Sequence, residues 1–172
     1  DRRDIALADQ LEAHKNIDLG GSPGFTDVYG RLRWDKPSVT ITAKSSTPSC
    51  GRFLHPDQNR SISVREAAIL QGFPQTYVFK GPFVNQYRQI GEAVPPLFAR
   101  FLAFQVLDHL SIATSKPKPA PHLVTNKQVG SGVDLALVDA FCGAGGISQG
   151  FISAGFNIAI GFDNDADAID TF

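Results

Sequence analysis

The sequence predicts an α/β fold with parallel strands, and three features near its C-terminal end predict it. Leu135-Ala-Leu-Val138 is a short apolar run of the kind that forms a buried strand, and it feeds the glycine-rich turn Asp139-Ala-Phe-Cys-Gly-Ala-Gly-Gly146. An amphipathic segment, Ile147 to Ala154, follows as a helix. After Gly155 a second strand pattern, Asn157-Ile-Ala-Ile-Gly-Phe162, ends in Asp163. Glycines let backbone approach a ligand closely, and a helix N-terminus offers unpaired N–H groups. In nucleotide-binding α/β folds an acidic residue about 20 positions after such a loop holds a ribose; Asp163 lies 24 positions after Asp139. The ordered set of strand, loop, helix, strand and carboxylate therefore points to a Rossmann-like unit for an adenosine-type cofactor.

Composition bounds the rest. A chain of 172 residues is enough for one domain, or one and a fraction. Hydrophobic content of 42% with 19% charged residues is ordinary for a globular protein. A net charge of −1 argues for neither nucleic acid nor membrane in bulk, so local clustering has to carry any such case. Asp1-Arg-Arg-Asp4 has no apolar stretch behind it, which speaks against a signal peptide, and the apolar run Leu97 to Leu107 is broken by Arg100 and too short to span a bilayer. Cys50 and Cys142 make neither a disulfide framework nor a metal spacing. These features predict a reducing, cytoplasmic location, with no secretion, no membrane and no metal. There is no methionine, and the sequence stops at Phe172 inside a helix begun near Asp165. A doubly wound sheet needs more strands than the two visible, so a piece of a larger or split protein is expected.

In chain order, residues 1–29 read as a connector, with a short helix from Ile5 to Ala13 ended by Gly20-Gly-Ser-Pro-Gly24. Residues 30–60 are basic and β-like. Ser38-Val-Thr-Ile-Thr42 alternates as a strand, and Lys44, Ser45, Ser46, Thr47, Arg52 and His55 are able to donate to phosphate oxygens, although an ordinary basic surface has the same composition. Pro48 and Gly51 form a turn around Cys50, expected to be a buried or incidental thiol. Ser63-Val-Arg-Glu66 is a capping box that opens a helix through Gln71, stopped at Gly72-Phe-Pro74. Gln75 to Arg88 reads as an aromatic loop. Pro95-Pro96 starts a helix whose body, Leu97 to Leu107, is apolar almost all round and so is expected to lie buried between layers. His109 near its end is placed to favour the helix dipole. Residues 111–133 read as a flexible linker, with Lys116-Pro-Lys-Pro-Ala-Pro121 and Gly130-Ser-Gly132. Residues 134–172 begin the cofactor-binding unit.

Four stretches together resemble the DNA (cytosine-5)-methyltransferases. Asp139-Ala-Phe-Cys-Gly-Ala-Gly-Gly146 is similar to the family's first motif, a loop that binds S-adenosyl-L-methionine. Gly30-Arg-Leu-Arg-Trp-Asp-Lys-Pro-Ser-Val-Thr-Ile-Thr42 resembles the ninth motif, Arg60 to Pro74 the helix after it, and Gln89-Ile-Gly-Glu-Ala-Val-Pro-Pro96 the tenth. The resemblance implies a partial Rossmann-like S-adenosylmethionine-dependent methyltransferase fold, with residues 1–29 as the tail of a target-recognition region and 30–110 as the ninth- and tenth-motif region. It implies that Phe141 packs on adenine, that Gly143, Ala144, Gly145 and Gly146 bring backbone amides to the cofactor, that Asp163 takes the ribose hydroxyls, and that Asn164 lies beside the adenine. Glu92, Ala93 and Val94 would reach the methionine end. Arg31, Arg33 and Thr40 would brace the recognition region and the backbone of double-stranded DNA. Packing or turn geometry is the plain alternative for each of these residues.

The chain departs from the family pattern at three points. Glu92 stands where the family usually has asparagine; a carboxylate there attracts the ammonium of the methionine moiety and repels its carboxylate. The ninth and tenth motifs precede the first, as in a circularly permuted enzyme or across a junction between two methyltransferase units. The family's nucleophile is a cysteine after proline, but Cys50 follows Ser49 and Cys142 follows Phe141. In this family the thiolate attacks C6 of a flipped-out cytosine and C5 takes the methyl group, so the resemblance places no catalytic residue in this chain. The expectation is a restriction-modification type enzyme whose Pro-Cys segment lies in the remainder of the same chain or in a second subunit. The rival is a non-catalytic cofactor- and DNA-binding subunit.

Overall fold

The computed structural model describes residues 28–110 and 135–172. The expected connector and short helix before residue 28 and the expected linker over 111–133 lie outside the described residues. The helices are α1 (Val64–Leu70), α2 (Phe83–Glu92), α3 (Pro96–His109), α4 (Gly146–Ser153) and α5 (Ala166–Thr171), with a 3-10 turn at Pro48–Cys50. The strands are β1 (Ala136–Ala140) and β2 (Asn157–Phe162), paired in parallel with Ala136 opposite Asn157 and Ala140 opposite Phe162. A register irregularity falls between Leu137 and Val138. The crossover through α4 is the βαβ arrangement that parallel pairing requires.

Helix α1 begins as its sequence dictates. The Ser63 hydroxyl accepts from the Glu66 N–H at 3.2 Å, and the Glu66 carboxylate accepts from the Ser63 N–H at 2.6 Å. Arg60 then locks the box, its guanidinium donating to both Glu66 oxygens at 2.7 and 2.8 Å. This pairing holds the Glu66 carboxyl down to about 2.

The loop expected over Gln75 to Arg88 is instead half helix. From Phe83 the chain coils into α2, because Tyr87 and Ile90, three residues apart, present one face to the core and are fully buried. Gly81-Pro82 hides this in the sequence by reading as a turn. Ser38 to Thr42 is not a strand. Val39 and Ile41 do alternate inward, but the segment finds no neighbouring strand among the described residues and lies instead with its Thr42–Ala43 backbone against Gly91 of α2. Only isolated bridges join Arg31 to Leu54 and Leu54 to Ser61.

One core gathers Ile41, Phe53, Ile62, Ala67, Ala68, Phe73, Phe79, Tyr87 and Ile90, and the loop residue Ala144 is part of it. A second joins Ala103 and Leu107 of α3 to Ala154 and Phe156. Helix α3 is not buried all round. Pro96, Ala99, Ala103 and Leu107 form its covered stripe, while Phe98, Phe101, Leu102 and Val106 are exposed among the described residues. Small residues along the stripe allow the backbones of α3 and α4 to touch. A Cβ on Gly150 would stand 2.5 Å from both the Ala99 Cβ and the Pro96 carbonyl oxygen.

The strands differ in the same way from the buried pattern expected of them. Val138 and Ile160 are exposed among the described residues, whereas Asp139 is buried. Cys50 is exposed and Cys142 buried. By length and composition alone, Phe83–His109 is long and apolar enough to cross a membrane, contrary to the expectation that no stretch is. It is two helices, broken by extended backbone at Ala93 and by Pro95, and its first half packs Tyr87 and Ile90 into the core.

Two predictions follow from this packing. In an exposed helix Gly→Ala gains about 1 kcal/mol; at position 150 it should instead cost about 1–3 kcal/mol through overpacking, read as a lower urea midpoint. Because the Glu66 carboxyl titrates below its ordinary value, its contribution to stability is complete above about pH 4.5 and is lost as pH falls to about 2. Glu66→Gln should remove that part of the acid sensitivity, so the stability gap between the two proteins should narrow across this window in a pH series of thermal melts.

Candidate functional site

A cavity of about 200 Å³ opens between α2, the loop after β1 and the loop after β2. The strand ends deliver two of its walls. Parallel pairing of β1 with β2 sets their C-terminal ends side by side, so the glycine loop and Asp163 emerge together, where ligands bind in open parallel sheets. The third wall is Arg88 to Val94, brought in by the contact of the 93–96 turn and α3 with α4. A Cβ on Gly146 would come within 2.3 Å of the Val94 carbonyl oxygen, so only glycine permits this approach.

The loop conformation is unusual and well anchored. Phe141 has φ +58° and is 81% exposed. A bulky residue in the left-handed region costs on the order of 1–3 kcal/mol and points to a functional constraint. Gly143 and Gly145 also have positive φ, at 52° and 76°, and the space a Gly143 side chain would occupy is open. The Asp163 carboxylate accepts the Gly143 N–H at 2.8 Å and the Asp165 N–H at 3.0 Å, and these donors pull its carboxyl below the usual range. An ionised carboxylate has acceptor capacity beyond these two bonds, enough for a diol. Behind the loop, buried Asp139 accepts from the buried Ser148 hydroxyl at 2.5 Å, tying β1 to α4. The Tyr77 hydroxyl donates to the Ala144 carbonyl at 2.6 Å, and burial pushes its pKa up to about 12. Burial, with Asp139 and Asp163 nearby, also pushes the Cys142 thiol up, which makes it a poor nucleophile.

Nine of the residues singled out from sequence line this cavity: Glu92, Ala93, Val94, Phe141, Gly143, Ala144, Gly146, Asp163 and Asn164. Gly145 does not. It sits behind the loop, where a Cβ would meet Phe172 and the Tyr77 hydroxyl. Arg31, Arg33 and Thr40 lie apart from the cavity. Arg31 is buried, its guanidinium donating to the carbonyls of His55 at 2.7 Å and Gln58 at 2.6 Å and to the Asn59 side chain, so it braces the 55–60 loop. Arg33 forks onto Asp35 with two bonds of 2.9 Å, and Thr40 is exposed. Sequence reasoning missed Arg88, Gln89 and Asp165, which also line the cavity. The signal for Arg88 was present as an i,i+4 pair with Glu92, but it carries weight only once α2 is known to be a helix.

The cavity fits an adenosine-bearing ligand on four counts: an exposed aromatic ring, open space over Gly143, a carboxylate fixed by backbone donors, and a close-packed backbone floor at Gly146. Comparison with known proteins agrees with the family the motifs suggest. The protein-family model for C-5 cytosine-specific DNA methylase matches residues 11–108. The chain is 45% identical over 101 residues to type II methyltransferase M.AgeI of Thalassovita gelatinovora, covering 59% of this chain and 23% of that protein. It is 47% identical over 96 residues to type II methylase M.HgiDII of Herpetosiphon aurantiacus, covering 54% of this chain and 26% of that one. Over 80 residues it is 45% identical to DNA (cytosine-5)-methyltransferase 1 of Mus musculus, covering 46% of this chain and 5% of that protein. The chain thus spans about a quarter or less of the length of these relatives. With more than half of its residues inside the match, this chain belongs to the C-5 cytosine-specific DNA methylase family.

Proposed function

We propose that this chain supplies the cofactor-binding and DNA-supporting parts of an enzyme that methylates C5 of cytosine in double-stranded DNA. The observation that carries the reading is the single cavity in which the glycine loop, Asp163 and the 92–94 segment face one another. Phe141 and Asn164 would hold the adenine of S-adenosyl-L-methionine, Asp163 its ribose, and Glu92, Ala93 and Val94 its methionine end. Bound there, the cofactor supplies the methyl group. The residues of this chain orient it and keep Asp163 ionised through the Gly143 and Asp165 N–H groups. Arg31 would stiffen the 55–60 loop behind the DNA-facing surface, with Arg33 and Thr40 on that surface.

The nucleophile is assigned to another segment, in the same chain or a partner, arranged as in a permuted or split enzyme. The buried Cys142 with its raised pKa and the absence of proline before either cysteine support this assignment. The restriction-modification setting and the cytoplasmic or nucleoid-associated location belong to the same proposal. The alternative, a binding subunit that never forms a covalent bond, rests on the same two cysteines.

Phe141→Gly tests the cofactor assignment. Release of the left-handed strain, set against the greater entropy of glycine in the unfolded chain, should leave stability unchanged or raised by up to about 2 kcal/mol. Affinity for S-adenosyl-L-methionine in an equilibrium titration should meanwhile fall roughly tenfold with loss of the stacked ring. Wild-type protein that binds NAD but not S-adenosyl-L-methionine would sink the reading. Mechanism-based trapping on DNA containing 5-fluorocytosine tests where the nucleophile lies. This chain alone should give no covalent adduct, and an adduct should form once a polypeptide carrying Pro-Cys is added. An adduct on Cys50 or Cys142 refutes the assignment, and no adduct in any combination favours the binding subunit.

A further inference from the structure

The cavity contains an ion pair that the motif resemblance leaves without a role. Arg88 and Glu92 stand one turn apart on α2, and both line the cavity with Phe141 and Asp163. One guanidinium nitrogen of Arg88, Nη1, lies 3.9 Å from the Glu92 Oε2, and the other, Nη2, bonds the Asp165 carboxylate. Asp165 is itself fixed as the N-cap of α5, accepting from the N–H groups of Asp167 and Ala168. The guanidinium is therefore pinned from one side and presents its other nitrogen toward Glu92.

Charge decides what such an arrangement recognises. Among the described residues that line the cavity Arg88 is the only cation, against the carboxylates of Glu92, Asp163 and Asp165. A ligand with an adenosine body and an amino-acid end brings a carboxylate and an ammonium on one carbon. Its carboxylate has one cationic side chain to meet, and its ammonium has the neighbouring Glu92. The Arg88–Glu92 pair is solvent-exposed, with side chains 40% and 59% accessible, so it is a weak pair that opens readily to admit a zwitterion. Guanidinium is also suited to grip a carboxylate through two parallel N–H bonds.

We propose that Arg88 and Glu92 together form a clamp for the amino-acid zwitterion of the cofactor, Arg88 taking the carboxylate and Glu92 the ammonium. The inference rests on the cofactor reading above and adds a residue that reading does not use. It also accounts for a glutamate at position 92 beside an anionic group, since Arg88 neutralises the repulsion that Glu92 alone would exert.

The test compares two ligands that share the adenosine thioether and differ in the amino-acid end: S-adenosyl-homocysteine and 5′-methylthioadenosine. Titrated against the whole chain, Arg88→Gln should bind S-adenosyl-homocysteine roughly 10- to 100-fold more weakly and methylthioadenosine as well as wild type does. Glu92→Gln should show the same selectivity with a smaller loss, and Arg88→Lys should restore part of the affinity. Equal loss of both ligands in Arg88→Gln would overturn the clamp and leave Arg88 as a tie between α2 and Asp165. Unchanged affinity for both would overturn it in favour of the backbone amides at the start of α4 as the carboxylate partner. If the wild-type chain binds neither ligand, the cofactor reading itself falls, and the clamp with it.

Discussion

The contact on which the rest of the structure depends is the bare-backbone meeting of the 93–96 turn and α3 with α4. Gly146 lies against the Val94 carbonyl and Gly150 against Ala99 and the Pro96 carbonyl, at separations that leave no room for a side chain on either glycine. Everything at the cavity follows from that approach. It sets the tenth-motif segment opposite the glycine loop and lets Tyr77 reach the Ala144 carbonyl. It also positions Arg88 to meet Asp165. Dispersion and apolar burial along the Ala99, Ala103, Leu107 and Phe156 seam favour the arrangement, but the small residues make it possible.

Polar bonds finish the docking where apolar area is scarce. Asn85 donates to Asp167 at 2.5 Å, the Lys80 N–H to the Thr171 hydroxyl at 2.8 Å, and that hydroxyl in turn donates to Gln89 at 2.7 Å. Each joins the segment before α3 to α5. Directional bonds of this kind add little net stability apiece, yet they set register and orientation more strictly than apolar contact does. A cavity whose walls come from two distant stretches of chain gains its shape from them.

Much of this was legible in the sequence because local chemistry dictated it. The capping box at Ser63, the stop near Gly72, the strand–loop–helix around Phe141 and the helix start near Asp165 all carry short-range signals, and each appears where its residues predict. The rest was hidden where tertiary context decides. Ser38 to Thr42 has strand periodicity, but a strand needs a partner, and burial alone satisfied its alternation. Helix α2 was masked by Gly81-Pro82 and by aromatic residues that read as loop. Helix α3 looks uniformly apolar, yet its covered face is the Ala99–Ala103 stripe, chosen by the glycines of α4 rather than by hydrophobicity. Of the site, the cavity-lining residues inside motifs were readable. Arg88 was not, because its meaning depends on a helix and on an aspartate 77 positions away.

The presence of Ala144 in the main core has a kinetic side. Its neighbours in that cluster lie between Ile41 and Ile90, and its carbonyl is held by a residue 67 positions earlier. Closing so long a loop costs entropy before any contact rewards it, and contacts of high sequence separation form late in folding. The ligand-ready shape of the glycine loop therefore depends on the first core, which receives Ala144 and holds its carbonyl through Tyr77. A ligand bound at this loop would thus report the packing of the first core as well as local order, and would draw the two distant stretches into one cooperative unit.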